Sequence, residues 1–103
     1  MKCMSYNYFF KVFSNALRIR IIELLRVKSR SVSEICSELN EEQSKVSHNL
    51  YLLMRCHVVT VQKKGKNRIY SLNKSTIKPL LDLVEKHVSS YCSSDCWKNK
   101  RGV

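Results

Sequence analysis

Three clusters in this 103-residue chain hold side chains able to do chemistry. Gln43, Ser44, Lys45, Ser47, His48 and Tyr51 fall within nine positions. Amide, hydroxyl and imidazole groups can hydrogen-bond base edges, and a lysine can hold a phosphate. Lys63, Lys64, Lys66 and Arg68 crowd around Gly65, a cationic group suited to a polyanion. Cys92 and Cys96 stand four apart. On a continuing helix they would share one face, giving half of a tetrahedral zinc site or most of a three-thiolate arsenite site.

No cluster suits catalysis. The eight acids are scattered, His48, His57 and His87 are far apart in the chain, and there is no glycine-rich phosphate loop. An enzyme is therefore not expected. Nineteen Lys and Arg against eight Asp and Glu give a net charge of +11. The excess is not evenly spread. Between Glu42 and Asp82 no residue is acidic, while Lys45, Arg55, Lys63, Lys64, Lys66, Arg68, Lys74 and Lys78 are basic. A one-signed block in a chain that otherwise looks folded points to nucleic acid rather than to a merely solvated face.

The elements that must position these groups can be read from periodicity. With two Gly, one Pro and 44% apolar residues, the composition is that of one small folded domain. No apolar run is long enough to span a membrane, and the start of the chain lacks the apolar core of an export signal. A cytoplasmic location is expected, where five cysteines do not make a disulfide framework. Five helices and one hairpin are predicted. The first covers about Ser5 to Phe13, with Tyr6, Phe9, Phe10 and Phe13 on one side. That aromatic stripe must be covered either within the chain or by a second copy. Ser14-Asn15 offers cap chemistry for a second helix with the stripe Leu17, Ile21, Leu24 and Leu25, from which Arg18 and Arg20 diverge. Ser31-Val32-Ser33-Glu34 fits a capping box opening a short third helix with Ile35 and Leu39 inward. Asn40 can take the left-handed conformation at its end.

The fourth helix, Gln43 to Arg55, turns Val46, Leu50 and Leu53 inward. Ser44, Ser47, His48 and Tyr51 lie on the opposite side. A short helix, a tight turn and a second amphipathic helix make a helix-turn-helix. Val58 to Val61 and Arg68 to Leu72 then form two strands joined at Lys64-Gly65-Lys66-Asn67. A helix-turn-helix followed by a basic hairpin is a winged helix. The last helix covers about Ser75 to Tyr91, with Pro79 near its start and Ile77, Leu80, Leu81, Val84 and Val88 as its stripe. Residues 1–91 are thus expected to form one winged-helix domain, with 92–103 as a cysteine-containing basic tail.

These blocks, in this order, resemble the ArsR family of winged-helix repressors. Ser14-Asn15-Ala16-Leu17-Arg18 with Arg20-Ile21 carries the resemblance, together with Ser31 to Ile35 and Gln43 to Leu50 with Leu53. Gly65 and Tyr70-Ser71-Leu72 complete it. The chain departs from the usual pattern at His48-Asn49, where the family has Arg-His, and at His57, where it has Gly.

The resemblance implies a homodimer through the first and last helices. Tyr6, Phe9, Phe10, Phe13, Ile77, Leu80, Leu81, Val84 and Val88 would then lie at the interface. Two recognition helices would enter successive major grooves of a pseudo-palindromic operator in double-stranded DNA. Gln43, Ser44, Ser47, His48 and Tyr51 would face the bases and Lys45 a phosphate. Lys63, Lys64, Lys66 and Arg68 of the wing would meet the backbone or minor groove.

The family's thiol sensors carry Cys-Val-Cys where Ser31 and Ser33 stand here. Its zinc site between the last helices keeps only His87 of the positions Lys74, Thr76, His87 and Ser90. Neither site is therefore expected. An effector, if any, would be zinc or arsenic bound at Cys92 and Cys96, joined by Cys3. The alternatives are a thiol redox switch, or a winged helix serving RNA or protein binding without an effector.

Overall fold

The structure is a computed structural model describing residues 5–92. In chain order it holds α1 (Tyr6–Val12), α2 (Ala16–Val27), β1 (Arg30–Ser31), α3 (Val32–Leu39), α4 (Gln43–Arg55), β2 (Val59–Lys64), β3 (Asn67–Leu72) and α5 (Ile77–Tyr91). The five helices expected are present. The hairpin is one strand richer than expected: β1 adds to it, giving an antiparallel sheet in the order β1-β3-β2. The fold is a winged helix-turn-helix. The chain divides into two compact units, one ending at Asn73 and the other starting at Lys74.

In the first unit, caps fix where each helix begins. The Ser5 hydroxyl accepts the Tyr8 N–H at 3.1 Å, and the Asn15 side-chain oxygen Oδ1 accepts that of Arg18 at 3.0 Å. At α3 the capping box forms. The Glu34 N–H donates to Ser31 Oγ at 3.3 Å, and the Ser31 N–H donates to the Glu34 carboxylate at 2.8 Å. That donated N–H is the main reason the Glu34 carboxyl sits below its ordinary pKa, because it favours the ionised form.

The core of this unit joins Ile21, Ile22 and Leu25 of α2, Ile35 of α3, and Val46, Leu50 and Leu53 of α4 with Val58, just before β2, and Val59, Tyr70 and Leu72 of the sheet. Burying each large aliphatic side chain contributes about 1.5–3 kcal/mol. The α2 stripe differs from expectation at Ile22, which is buried, while Leu17 and Leu24 are only half-buried.

Among the described residues two other than glycine adopt positive φ, and both end helices. Asn40 closes α3 in the left-handed conformation, with φ 54° and ψ 51°. His57 follows α4 at φ 59°. Its N–H donates to the Met54 carbonyl at 3.0 Å, and the next N–H, of Val58, to that of Leu53 at 2.9 Å. This is a Schellman motif, whose left-handed position usually holds Gly. That explains why glycine is the usual residue here and what its replacement by His57 costs: a Cβ in the left-handed region.

On α1 the outcome of the aromatic stripe is specific. Val12 is the buried residue, while Tyr6 is 84% and Phe10 59% exposed. Phe9 and Phe13, half-buried, have ring centroids 5.1 Å apart. The helix stops at Val12, with Phe13 as its C-cap.

The second unit holds α5. Pro79 lies in its first turn, where a missing N–H breaks no helical hydrogen bond. Ile77 is buried, Leu80 and Leu81 are half-buried, and Leu83, Val84, Val88 and Tyr91 are exposed. The helix ends at Tyr91, and Cys92 is extended at φ −108°, ψ 127°. The helix therefore stops before Cys92. Cys96 and Cys3 lie outside the described residues.

Candidate nucleic-acid interface

The helix-turn-helix is held by side chains reaching across it. Arg20 of α2 donates to the Leu39 carbonyl at 2.9 Å, the end of α3, and lies 3.6 Å from the Glu41 carboxylate in the turn. Arg30 of β1 lies 3.7 Å from the Glu38 carboxylate. Arg18 donates through Nε to the Val12 carbonyl at 2.8 Å and through Nη1 to the Asn49 side-chain oxygen at 3.0 Å. The divergence of Arg18 and Arg20 from the apolar stripe thus has a structural purpose the periodicity did not reveal: both brace other helices.

With Val46, Asn49, Leu50 and Leu53 facing inward, α4 turns Gln43, Ser44, Ser47, His48 and Tyr51 to solvent, and Lys45 is exposed too. A base edge needs hydrogen-bonding groups that are not already satisfied within the protein and can reach into a groove. These residue types supply them. One further cation was not among the expected site residues. Arg55 lies over the Tyr51 ring, its guanidinium carbon 5.6 Å from the centroid. The i, i+4 spacing of an aromatic and an arginine is the signal that could have found it.

The wing tip has a two-residue loop, since Lys64 pairs with Asn67. Gly65 takes φ +61° at its first position, as a type II′ hairpin turn demands. The register sorts the hairpin's two faces. Val59 opposes Leu72, Val61 opposes Tyr70, and then, on the same face, Lys63 opposes Arg68. A face that is apolar at the base of the wing becomes doubly cationic at its tip. Like charges directly across a sheet destabilise it. Lys63, Lys64, Lys66 and Arg68 are all exposed.

The two clusters come together at Gln43. Gln43 at the start of α4 and Lys66 and Arg68 of the wing line one open cleft of about 400 Å³, completed by Ser31, Val32, Ser33, Cys36 and Asn67. One concave surface therefore carries hydrogen-bonding groups on one wall and cations on the other.

Residues 15–61 match the family model described as bacterial regulatory protein, arsR family. Over 79 residues the chain is 39% identical to the HTH-type transcriptional regulator Rv0081 of Mycobacterium tuberculosis, spanning 76% of this chain and 69% of that protein. The chain belongs to the ArsR family. The crystal structure of Rv0081 superposes with a TM-score of 0.76 at 36% identity, over 82% of this chain and 85% of that one. The transcriptional repressor SdpR of Bacillus subtilis is 30% identical over 69% of this chain and 79% of its own length. The transcriptional activator HlyU of Vibrio cholerae is 28% identical over 82% of this chain and 76% of its own. As an ArsR-family member, the protein is a transcriptional regulator, and the winged helix is its DNA-binding module.

Of the metal ligands expected, Cys92, Cys96 and Cys3, only Cys92 falls among the described residues. His87 stacks on Tyr91, ring centroids 5.0 Å apart, and Cys92 is half-buried. Among the described residues no three His, Cys, Asp or Glu side chains gather as a metal cluster would. No helix among them is long and apolar enough to cross a membrane.

Proposed function

We propose that the protein is a repressor that binds a pseudo-palindromic DNA operator as a homodimer. The observation that carries this reading is the cleft that joins Gln43, at the start of the polar face of α4, to Lys66 and Arg68 of a wing whose tip opposes Lys63 and Arg68. That pairing costs fold stability, and a phosphate backbone between or beside the two cations would offset the cost. Gln43, Ser44, Ser47 and His48 would read base edges, with Tyr51 and its stacked Arg55 at the flank and Lys45 on a phosphate.

Duplex DNA is favoured over the alternatives on shape and chemistry. The major groove of B-DNA admits a helix, whereas that of A-form RNA is too narrow. A face built for protein binding would expose several aliphatic or aromatic side chains. On α4 the exposed large apolar residue is Tyr51, and Arg55 covers its ring. The dimer is supported separately by each helix assigned to it. Tyr6 and Phe10 on α1, and Val84 and Val88 on α5, are apolar and unburied in the single chain. Repression follows from occupancy, since a dimer seated on a promoter excludes whatever else must bind there.

The test is fluorescence anisotropy of the reduced protein on the DNA upstream of its own coding sequence, against a random duplex. Tight binding with a two-fold-symmetric footprint is expected. Equal affinity for both duplexes would overturn the operator reading. Zinc or arsenite added to the complex extends the test to the proposed thiols. Release that is lost in Cys92→Ser/Cys96→Ser would establish thiol-linked derepression. Binding indifferent to both would remove the metal from the proposal.

A further inference from the structure

Asn49 is the single buried amide among the described residues, 9% exposed, on the core face of α4 between Val46 and Leu53. It lies away from the face proposed to read bases. A buried amide without partners would be costly, so its partners matter. Its oxygen accepts from Arg18 Nη1 at 3.0 Å, and its nitrogen donates to the Lys45 carbonyl at 2.8 Å. The same guanidinium donates through Nε to the Val12 carbonyl at 2.8 Å. Arg18 and Asn49 thus tie the end of α1, the first turns of α2 and the middle of α4 together through one pair of side chains.

We propose that Arg18 and Asn49 are a positioning pair that sets DNA sequence discrimination by fixing the rotation of α4. The proposal rests on the DNA-binding reading above. The rest of the α4 core face is Val46, Leu50 and Leu53, whose contacts are non-directional. Leucine at position 49 would keep the branched shape of the amide without its hydrogen bonds, and such packing alone lets a helix settle at neighbouring rotations. A hydrogen bond does not, because its length holds within a few tenths of an ångström. The consequence is amplified on the opposite face. With side-chain tips about 5–6 Å from the helix axis, a rotation of about 20° moves them by about 2 Å. That displacement is enough to take Ser47 and His48 out of hydrogen-bond reach of a base edge. It changes little for a lysine meeting a diffuse phosphate charge. The pair therefore acts on discrimination and leaves the electrostatic part of binding alone. A polar contact retained in a core for uniqueness of pose rather than for stability is the physical logic.

The experiment compares the wild type with Asn49→Leu and with Arg18→Met/Asn49→Leu. The probes are the duplex that the wild type enriches from a random-sequence library, and a random duplex. Affinities are measured across a salt series, with thermal unfolding in parallel. Asn49→Leu leaves Arg18 without its partner, so it can lose stability. The double variant removes both polar groups together with the bond to the Val12 carbonyl, and its thermal unfolding shows what that costs the fold. In the double variant we expect the ratio of enriched-duplex to random-duplex affinity to fall about tenfold or more, with random-duplex affinity and salt slope unchanged. A purely structural pair would give a double variant that recovers stability and discrimination together. A double variant as stable and as discriminating as the wild type overturns the proposal while leaving DNA recognition by α4 intact. A wild type that enriches no duplex overturns the DNA-binding reading itself, and this proposal with it.

Discussion

Helix α4, proposed to read DNA, and the wing are built on opposite principles. Helix α4 has a fully buried side, with Val46, Leu50 and Leu53 shielded from solvent, and α2 holds it through Arg18 and Asn49. The α3–α4 turn ahead of it is braced by Arg20. The wing beyond Val59 has little to bury: every residue from Thr60 to Arg68 is exposed, and its tip sets Lys63 against Arg68. One element uses its contacts to hold a single pose; the other tolerates a stability penalty to hold charge in place. A reader of base edges needs position, because hydrogen bonds fail within a fraction of an ångström. A holder of phosphates needs charge, because Coulomb attraction falls slowly with distance.

Mutations should separate the two. Leu50→Ala removes a fully buried side chain from the braced element. We expect a loss of about 2–5 kcal/mol in chemical denaturation, whereas Lys66→Ala at the wing tip should change stability by less than about 0.5 kcal/mol. Similar effects at both sites would erase the contrast. Next in size, Ser47→Ala or His48→Ala should weaken binding to an enriched duplex by about 1–3 kcal/mol and leave random-duplex affinity unchanged. Anisotropy on the two duplexes reads this directly.

His57 joins the two regions in a left-handed position. His57→Gly should raise stability by about 1 kcal/mol, seen as a higher denaturation midpoint with an unchanged slope. A decrease would mean that the imidazole makes contacts worth more than the backbone strain. Lys63→Glu should give effects of opposite sign. It turns a like-charge cross-strand pair into an attractive one, stabilising the fold by about 0.2–1 kcal/mol while weakening DNA binding. A variant that binds DNA as well as wild type would release the wing from its assigned role.

The smallest effect concerns the Glu34 cap. Its carboxyl is held below the ordinary range in the folded chain, first by the Ser31 N–H. A depressed folded pKa contributes stability that is present above the unfolded value of about 4.3 and lost as pH falls through the folded one. Glu34→Gln should therefore lower stability slightly at neutral pH, leave it nearly unchanged at acid pH, and so flatten the acid side of the stability–pH curve. An acid limb identical to wild type would remove the cap from that role.

What was legible in the chain was local. The Ser31–Glu34 capping box, the left-handed Asn40, the turn at Gly65 and the polar face of α4 all depend on neighbours within four residues, and all are present. What was not legible depends on partners far along the chain. Strand β1 is two residues with no alternation to read, and exists because Arg30 and Ser31 pair with Tyr70 and Ile69. Arg18 has the pattern of a surface residue because its partner Asn49 is 31 positions away. The aromatic stripe of α1 was legible as a stripe, but periodicity alone could not say that Val12 is the residue turned inward.

The proposed division between a helix that reads and a wing that holds charge is most directly tested by a salt titration. Binding of the wild type and of a Lys63→Ala/Lys64→Ala variant would be followed on an enriched and a random duplex from low to physiological salt. We expect the slope of log affinity against log salt to fall by about 0.9 for each phosphate that the variant no longer neutralises, equally on both duplexes, with their affinity ratio preserved. An unchanged slope, or a ratio that collapses with it, would contradict that division.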